Sequence, residues 1–326
     1  MGSNARRACL VGAACFCAAL GACAQSTDKS TRSAARAPLP APHVVLTADD
    51  RQLWVPLPPD RSVVPVLLYH GVAPVSDFSK RAAADLGIDP KVFARQMVLL
   101  DHAGYETITL REFVRFIKGQ EISLPPRPLL LTFDGARADS WTGTDGILRK
   151  LHFKATLFVD VGRVEAKKPE YLTWKELNTL QRSGRWDVQL QSGTGHHQIQ
   201  HGSTPEDVGP FYAYRGSEER LDGWRERVFS DITEAEEQLS FRVRGYRPLA
   251  FAPPYGNYGQ AATNDPRIPR ELLARLLQSF DVVFTQDRTG FASPGAGKGE
   301  RNGRIEITRE VTEEELHGLL SSRARQ

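Results

Sequence analysis

A single carboxylate follows a strongly apolar run in the segment LLLTFDGARADSW at 129–141. The run predicts a buried strand, which places Asp134 at the carboxyl end of that strand. Parallel sheets and barrels collect catalytic groups at this end, so Asp134 is a candidate catalytic carboxylate. A carboxylate in front of a helix also serves as an N-cap, and the segment alone leaves both roles open.

Histidines and aromatic residues gather in the stretch 192–224, which begins with SGTGHH. The stretch is too long for an ordinary connection, and connections of this length in compact domains are usually functional or disordered. Its aromatic residues argue against disorder and fit either a surface on which sugar rings stack or a packed lid. They are Phe211, Tyr212, Tyr214 and Trp224.

Strand-like and helix-like segments alternate from residue 63 onward, and these elements must position the candidate residues. Strands are predicted at 63–69, 127–133, 155–161, 186–190, 249–252, 282–285 and 304–307. Helices are predicted at 90–103, about 138–151, 173–183, 219–240, 269–278 and 312–320. The alternation predicts an α/β fold with a parallel sheet. It is equally compatible with a closed eight-stranded barrel and with a barrel of fewer or irregular strands.

Several segments, through their order and spacing, resemble the NodB-type polysaccharide deacetylases, and within them the branch that acts on exported glucosamine polymers. The resemblance covers nearly the whole folded part of the chain. Its segments are PVLLYHGV at 65–72, FARQMVLLDHAGYETITLREF at 93–113, PRPLLLTFDG at 126–135, SGTGHH at 192–197 and RPLAFAPPYGNYG at 247–259. The resemblance implies a distorted (β/α) barrel of the NodB type, with the site at the carboxyl ends of the strands.

The resemblance also implies a metal-dependent reaction. In the family, a TFDD motif supplies a first carboxylate as general base and a second that binds a divalent metal, zinc above all, together with two histidines. An amide carbonyl is a poor electrophile, so the metal polarises it and acidifies the attacking water while the base takes the proton. Asp134 matches the base, whereas Gly135 stands at the position of the second carboxylate.

The histidine motif departs from the family pattern, and two alignments are open. With the five-residue separation of the exported-polymer branch, His196 is the second metal histidine and Gln191 replaces the first. With the common SHTxxH spacing, His197 is the second and Gly193 replaces the first. The predicted strand 186–190 runs directly into Gln191, which favours His196. For either histidine, a hydrogen bond within the long loop is the alternative role.

One imidazole and one amide make a poor site for a first-row metal, because an amide oxygen is a weak ligand and no anionic oxygen remains at Gly135. Asp139, His197 and His201 are the residues that could complete the ligand set. Asp139 would lie about one helical turn beyond Gly135, although a solvated surface carboxylate describes it as well.

Three further positions resemble the surroundings of the family's cleft. FAPPYG at 251–256 resembles the wall that holds the acetyl group, so Pro253 and Tyr255 are candidate substrate-binding residues, with a structural turn as the alternative. The two prolines remove two backbone donors, so only the amides beyond them could serve an oxyanion. His70 ends the first strand and belongs either to the cleft or to the core, and His317 resembles a late family acid only faintly.

The N-terminus predicts export. Arg6 and Arg7 precede an apolar core of about 13 residues, which is too short for a membrane-spanning helix and typical of a signal peptide. The sequence LGAC at 20–23 resembles the bacterial lipobox, so residues 1–23 are predicted to be a lipoprotein signal peptide with Cys23 as the lipidated residue. An ordinary signal cleavage next to this cysteine is the alternative.

Composition bounds the rest of the chain. Residues 24–43 are small, polar and proline-dotted and predict a flexible linker, which leaves 44–326 as one deacetylase-like domain. All 4 cysteines lie in the first 23 residues, which excludes a disulfide framework or a cysteine-based zinc site in the domain. Removing Arg6 and Arg7 from the 42 basic residues leaves 40 against 39 acidic ones, a balance that gives no support for nucleic-acid binding.

Two hypotheses about function follow. The first is a hydrolase that removes acetyl groups, by de-N-acetylation, from an envelope or exported polysaccharide built of acetylated amino sugars. The chain would be attached to a membrane through Cys23 and would face the periplasm or the cell surface. The alternative is a catalytically degenerate relative that binds carbohydrate, without a metal, in a polysaccharide export or modification assembly. A metal-free hydrolase that pairs Asp134 with another carboxylate lacks an identifiable partner.

Overall fold

The structure, a computed structural model, describes residues 36–74, 86–287, 289–295 and 301–321. The predicted signal peptide, Cys23 and residues 24–35 of the predicted linker lie outside the described residues and stay predictions. Within the described part of the chain, no helix combines the length and the apolar character that crossing a membrane needs.

Strands form a nearly closed parallel barrel. The strands are β1 (Val64–Tyr69), β2 (Glu106–Thr107), β3 (Pro128–Asp134), β4 (Ala155–Asp160), β5 (Trp186–Ser192), β6 (Gln198–Gln200), β7 (Val208–Pro210), β8 (Ala250–Phe251), β9 (Val282–Phe284), β10 (Phe291–Ala292), β11 (Arg301–Asn302) and β12 (Ile305–Glu306). The eight parallel strands follow the order β12, β1, β3, β4, β5, β8, β9, β11. Because only two residues join β11 to β12, the two ends of the sheet come together. The predicted distorted (β/α) barrel is confirmed.

Helices follow most of the barrel strands. They are α1 (Ala48–Leu53), α2 (Pro90–His102), α3 (Leu110–Ile117), α4 (Ala138–Thr142), α5 (Asp145–Lys150), α6 (Val161–Glu165), α7 (Trp174–Arg182), α8 (Leu221–Arg242), α9 (Ile268–Ser279) and α10 (Glu313–Ser321). Four of them begin with a reciprocal capping box, in which Thr47, Thr109, Thr173 or Thr312 exchanges hydrogen bonds with the acidic residue three positions later. These caps fix where α1, α3, α7 and α10 start.

Alternation of side chains divides each barrel strand between two apolar layers. In β3, Leu130 packs inside the barrel, whereas Leu131 packs under the surrounding helices. In β4, Phe158 packs inside. The same period of two continues to the ends of both strands, so Asp134 and Asp160 fall on the interior face. The fold therefore brings two acids to one edge of the barrel.

Two segments differ from their predicted form. The helix predicted at about 138–151 is wrong as a single helix, because α4 and α5 are separate. An added Cβ on Gly143, between them, would lie 2.1 Å from the carbonyl oxygen of Val72, so a glycine permits the close approach at which the helix breaks. The stretch 192–224 is ordered around a small antiparallel sheet of β6 and β7.

The predicted linker already touches the domain near its end. The N–H of Leu39 donates to the carbonyl of Thr142 over 2.8 Å. The backbone of the neighbouring residues lies so close to Gly146 that an added Cβ there would meet the carbonyl oxygen of Leu39 at 2.2 Å. Residues 39–41 therefore pack along α4 and α5, although their composition alone predicts a tether.

Candidate functional site

Polar side chains of three neighbouring strands meet at the carboxyl edge of the barrel. Asp134 ends β3, Asp160 ends β4, and Gln191 lies one residue before the end of β5. All three are buried, with exposures of 4%, 3% and 2%. Buried carboxylates and amides need hydrogen-bond or ionic partners, and those partners divide the edge into two groups.

The first group is centred on Asp134. Arg304, in the turn between β11 and β12, donates from Nη1 and Nη2 to the two carboxylate oxygens of Asp134 over 2.7 and 2.9 Å. Gln191 Nε2 donates to Asp134 Oδ2 over 3.1 Å. The guanidinium carbon of Arg304 lies 5.4 Å from the ring centroid of Phe158 and 6.0 Å from that of Phe284. We call Asp134 and Arg304 the sealed pair, because the side chain of Arg304 is 0% exposed and donors occupy both oxygens.

The second group, the open cluster, consists of Asp160, Arg163 and His196. Arg163 Nε lies 3.0 Å from Asp160 Oδ2, and His196 Nδ1 lies 3.3 Å from the same oxygen. The histidine contact is at ion-pair distance but lacks hydrogen-bond geometry, so Nδ1 is buried without a hydrogen-bond partner among the described residues. The side chains of Arg163 and His196 are 30% and 17% exposed, so this group borders the solvent.

The start of α6 positions the open cluster. Asp160 is the N-cap of α6, and its Oδ1 accepts from the N–H of Arg163 over 3.3 Å. The side chain of Arg163 turns back to the same carboxylate, and its guanidinium carbon lies 5.4 Å from the ring centroid of Tyr171. One carboxylate thus caps a helix, pairs with an arginine and lies within ion-pair distance of a histidine.

Tyr255 forms the exposed side of the cleft. Its ring stands edge-on to His196, with 5.1 Å between the ring centroids, and the residue is 47% exposed. Its backbone lies in the left-handed region, with φ of 60° and ψ of 15°. Burial raises the pKa of the Tyr255 hydroxyl, with Arg163 opposing this shift and Asp160 adding to it. The exposed aromatic face is a surface on which a sugar ring can stack.

The turn after β8 uses its own backbone donors. The N–H groups of Gly256 and Asn257 donate to the carbonyls of Pro253 and Pro254 over 3.0 and 3.3 Å. These two amides are therefore engaged inside the turn and are not available to an oxyanion. Pro253 is buried, so Tyr255, and not Pro253, offers surface to a ligand.

His70 lies beside the sealed pair as the partner of a carboxylate. Its Nε2 is 2.9 Å from Glu306 Oε1, and Gln286 Nε2 donates to the same oxygen over 2.8 Å. The hydrogen bond from His70 holds the pKa of Glu306 below its ordinary value, with Arg304 acting in the same direction and Asp134 opposing it. His70 is thus an ion-pair partner at the edge of the site.

Two other residues singled out in the sequence are engaged outside the two groups. Asp139 Oδ1 accepts from Arg137 Nε over 2.9 Å, and the second oxygen pairs with the same guanidinium. His317 packs edge-on against Trp54, with 5.1 Å between the ring centroids. Asp139 is therefore occupied by an arginine, and His317 belongs to a packing contact between α10 and the residue that follows α1.

The histidines of the long loop contact that loop itself. His197 Nδ1 lies 3.0 Å from the carbonyl oxygen of Thr194, and its ring centroid is 5.1 Å from that of Phe211. His201 stacks on Tyr214 at 4.6 Å. The contact of His197 is of the kind predicted as its alternative role, a hydrogen bond within the loop, whereas His201 stacks on an aromatic ring of the same loop.

The geometry favours one of the two histidine alignments. Gln191 contacts Asp134 and His196 contacts Asp160, so this pair faces the site. Gly193 instead donates its N–H to Asp231 Oδ2 over 2.9 Å, at the N-terminal side of the long loop. These contacts favour the alignment of Gln191 and His196 with the two family histidines, and this alignment stays a prediction.

The fold and the polar edge define a (β/α) barrel whose site lies at the carboxyl ends of its strands. Residues 121–267 match the family model described as "Polysaccharide deacetylase". A relative from Bacillus subtilis (strain 168), YxkH, whose name assigns it to the polysaccharide deacetylases, is 25% identical over 195 residues. The match covers 58% of this chain and 64% of YxkH, less than two thirds of that protein.

Solved structures share the fold. A de-N-acetylase from Aggregatibacter actinomycetemcomitans superposes with a TM-score of 0.66 at 16% identity, over 79% of this chain and 99% of its own. IcaB from Ammonifex degensii gives a TM-score of 0.59 at 21% identity, over 79% and 97%. Residues 121–267 are therefore similar to the polysaccharide deacetylases, and the barrel is the fold that the solved deacetylase structures share. The matched family is named for the deacetylation of polysaccharides.

The family generally uses a divalent metal, and the residues present here do not fit one. Gly135 has no side chain, and an added Cβ would lie 3.2 Å from Arg163 Nη1. The amide in place of the first histidine donates to the sealed pair. Among the residues that the structure describes, no group of three or more His, Cys, Asp or Glu side chains could hold a metal ion. The metal-ligand roles of His196 and His197 therefore stay predictions without a ligand set.

Sequence reasoning missed Asp160, Arg163 and Arg304. Asp160 ends a strand as Asp134 does, but the predicted strand 155–161 ran through it. Ending that strand at its first acidic residue would have identified Asp160. Arg304 carries no local signal, because its partner lies 170 residues away in the sequence.

Proposed function

We propose that this chain removes acetyl groups, by de-N-acetylation, from an envelope or exported polysaccharide that contains acetylated amino sugars. The match of residues 121–267 to the polysaccharide deacetylase family model supports the reaction class. The exposed ring of Tyr255 beside His196 supports a carbohydrate ligand, because aromatic faces stack on sugar rings. Burial of Pro253 confines the predicted substrate contact in this turn to Tyr255.

The His196–Asp160 pair at the mouth of the cleft is the observation that carries the proposal. Because Nδ1 of His196 faces Asp160, Nε2 is left on the other side of the ring. An imidazole beside a carboxylate can accept a proton from water while the water oxygen bonds to the acetyl carbon. The carbon–nitrogen bond then breaks, and the imidazolium returns the proton to the leaving nitrogen. The products are acetate and a free amine.

Acetate release from an N-acetylglucosamine pentamer tests the proposal. We expect release by the unaltered chain and a rate at least about 100-fold lower in His196→Gln, the usual scale for losing a general base. His201→Gln is the matched control, because this histidine also contacts an aromatic ring but lies in the loop. Absence of acetate from the unaltered chain would remove the hydrolytic proposal. Equal rates in the two variants would remove His196 from the chemistry.

A second candidate function, glycan binding without cleavage, is favoured by the sealed pair. The carboxylate that matches the family's base is held by Arg304 and Gln191, and Gly135 offers no ligand. This candidate predicts that the pentamer binds and that no acetate appears with any added divalent metal. Calorimetry of pentamer binding beside the acetate assay separates the two functions.

We also propose that the chain is an exported lipoprotein that is anchored through Cys23 and faces the periplasm or the cell surface. The proposal rests on the arginines, the short apolar core and the lipobox-like LGAC at 20–23. Labelling of growing bacteria with a radioactive fatty acid tests it. We expect Cys23→Ala to lose the label and Cys17→Ala, a cysteine inside the apolar core, to keep it. Label retained in Cys23→Ala would refute the anchor.

A further inference from the structure

A guanidinium occupies the position beside Asp134 at which the family resemblance places a metal-binding carboxylate. The backbone of Gly135 has φ of +97°, a region that side-chain-bearing residues rarely adopt. A Cβ built there would lie 3.2 Å from Arg163 Nη1 and 3.7 Å from Arg137 Cγ. The side chain of an acidic residue at this position would therefore start in contact with Arg163. Positive charge is already present at the place where relatives carry a metal.

Four carboxylates at this edge of the barrel already have a cationic or histidine partner. The pairs are Asp134 with Arg304, Asp160 with Arg163 and His196, Asp139 with Arg137, and Glu306 with His70. A divalent metal would have to displace one of these partners and lie close to the remaining guanidinium groups. Like charges oppose that arrangement, most strongly where burial limits screening by solvent.

We propose that the cleft functions without a metal ion and that Arg163 is its cation, which binds the carbonyl oxygen of the acetyl group on the glycan. This inference takes its ligand, an acetylated amino sugar, from the proposed function. The Nε of Arg163 is fixed by Asp160, and the ring of Tyr171 lies under its guanidinium. Among the described residues, its terminal amino groups have no hydrogen-bond partner. The guanidinium of Arg163 is thus fixed beside Gly135, and its terminal N–H groups, which have no partner among the described residues, can donate to a carbonyl oxygen.

The chemistry of this donor predicts a preference between two forms of the same sugar. The N–H groups of a guanidinium can only donate hydrogen bonds, and the acetyl oxygen is an acceptor for them. Removal of the acetyl group leaves an ammonium group, which Arg163 repels. The cleft therefore binds the acetylated polymer and releases the deacetylated one. This preference depends on Arg163 and can be measured whether or not hydrolysis occurs.

Zinc binding is the first test. The purified chain is analysed for bound metal and then titrated with zinc chloride in a calorimeter. We expect no stoichiometric zinc after purification and no saturable site in the titration. One equivalent of bound zinc that is lost in His196→Gln would overturn the proposal, because the family's ligand position would then be in use.

Binding of glucosamine pentamers is the second test. We expect the unaltered chain to bind the N-acetylated pentamer about tenfold or more tightly than the deacetylated one, the scale of one hydrogen bond to a charged group. In Arg163→Gln this preference falls about tenfold, and in Arg163→Lys part of it remains. Arg225→Gln, which removes a comparable surface arginine paired with Glu271, leaves it unchanged.

The outcomes separate this inference from the proposed function. An unchanged preference in Arg163→Gln, or no binding of the acetylated pentamer by the unaltered chain, overturns the role of Arg163. Acetate release that depends on added metal overturns the inference but keeps the hydrolase. Preference lost in Arg163→Gln, with no acetate released under any condition, keeps the inference and removes the hydrolase.

Discussion

The sealed pair and the open cluster both pair an aspartate with an arginine, but the two groups have opposite roles. Both contain an aspartate at the end of a barrel strand and an arginine that follows it in the sequence, and the open cluster also contains His196. Arg304 is 0% exposed and satisfies both oxygens of Asp134, whereas Arg163 is 30% exposed and leaves its terminal amino groups unpartnered within the described chain. The difference teaches that strand position alone does not make an aspartate reactive. The role of each aspartate depends on how much of its carboxylate the paired guanidinium covers.

The comparison also relocates the chemistry of the cleft. Family resemblance directs attention to Asp134, yet Arg304 and Gln191 hold its carboxylate oxygens, while Asp160, one strand further along, contacts both a guanidinium and an imidazole. Asp134 as general base stays a prediction that its contacts do not favour. The open cluster holds the groups that a ligand can reach.

The largest expected effect comes from breaking the sealed pair. Arg304→Met leaves the buried carboxylate of Asp134 with one amide donor, and removing one partner of a buried ion pair costs about 3–5 kcal/mol. Replacing both partners, in Asp134→Leu with Arg304→Met, costs far less than the sum of the single changes. Urea unfolding followed by circular dichroism measures the free energy of each variant.

The matched change in the open cluster sharpens this comparison. Arg163→Gln breaks a partly exposed pair, and such pairs contribute about 1 kcal/mol or less. A loss of stability in Arg163→Gln that equals the loss in Arg304→Met would show that the two regions are not different in kind.

A smaller effect is expected from the strained backbone at Tyr255. Its φ of 60° is unfavourable by about 1–2 kcal/mol for any residue with a Cβ. Glycine adopts this φ without that penalty. We therefore expect Tyr255→Gly to be more stable than Tyr255→Ala by about 1 kcal/mol, the reverse of the usual order in regular structure. Both variants lose the aromatic face and bind the pentamer more weakly. Thermal unfolding of the two variants side by side decides the order of stability.

The smallest effect concerns acid and the carboxylate beside the sealed pair. The hydrogen bond from His70 lowers the pKa of Glu306 in the folded chain. A glutamate whose pKa is lower in the folded than in the unfolded chain stabilises the fold at pH values above the ordinary glutamate pKa. This contribution is lost as the pH falls through the pKa of the folded state. Glu306→Gln should therefore be less stable than the unaltered chain near pH 6, by under about 1 kcal/mol because the pair is partly exposed, and the difference should shrink toward pH 3. A difference that grows in acid would contradict the assignment.

Local patterns predicted most of the barrel. The apolar runs that became β1, β3, β4 and β5 end within about two residues of their predicted limits, because burial on both faces of a parallel strand leaves a continuous apolar signal. The helix predicted at 173–183 begins close to its predicted start, where Thr173 and Glu176 form a capping box. The break between α4 and α5 was missed, since it depends on a contact with Val72 that lies far away in the sequence.

The site was less predictable for the same reason. The alignment of Gln191 and His196 with the family histidines, favoured by the strand that precedes them, agrees with the observed contacts. Arg304 was not identified, because its pair with Asp134 forms only when strands distant in sequence become neighbours in the barrel. Arg163 was missed because the predicted strand ran through Asp160 and hid the helix start at which the two residues pair. Charge pairing across a barrel has no spacing rule, so it appears only in the fold.

The most direct test of the central claim, that the chemistry belongs to the open cluster, compares acetate release in two altered chains. One carries Asp134→Leu with Arg304→Met, and the other carries His196→Gln, with circular dichroism used to verify that both are folded. The account predicts that the first keeps acetate release within about tenfold of the unaltered chain and that the second loses at least about 100-fold. Release abolished in the folded first variant and preserved in the second would contradict it.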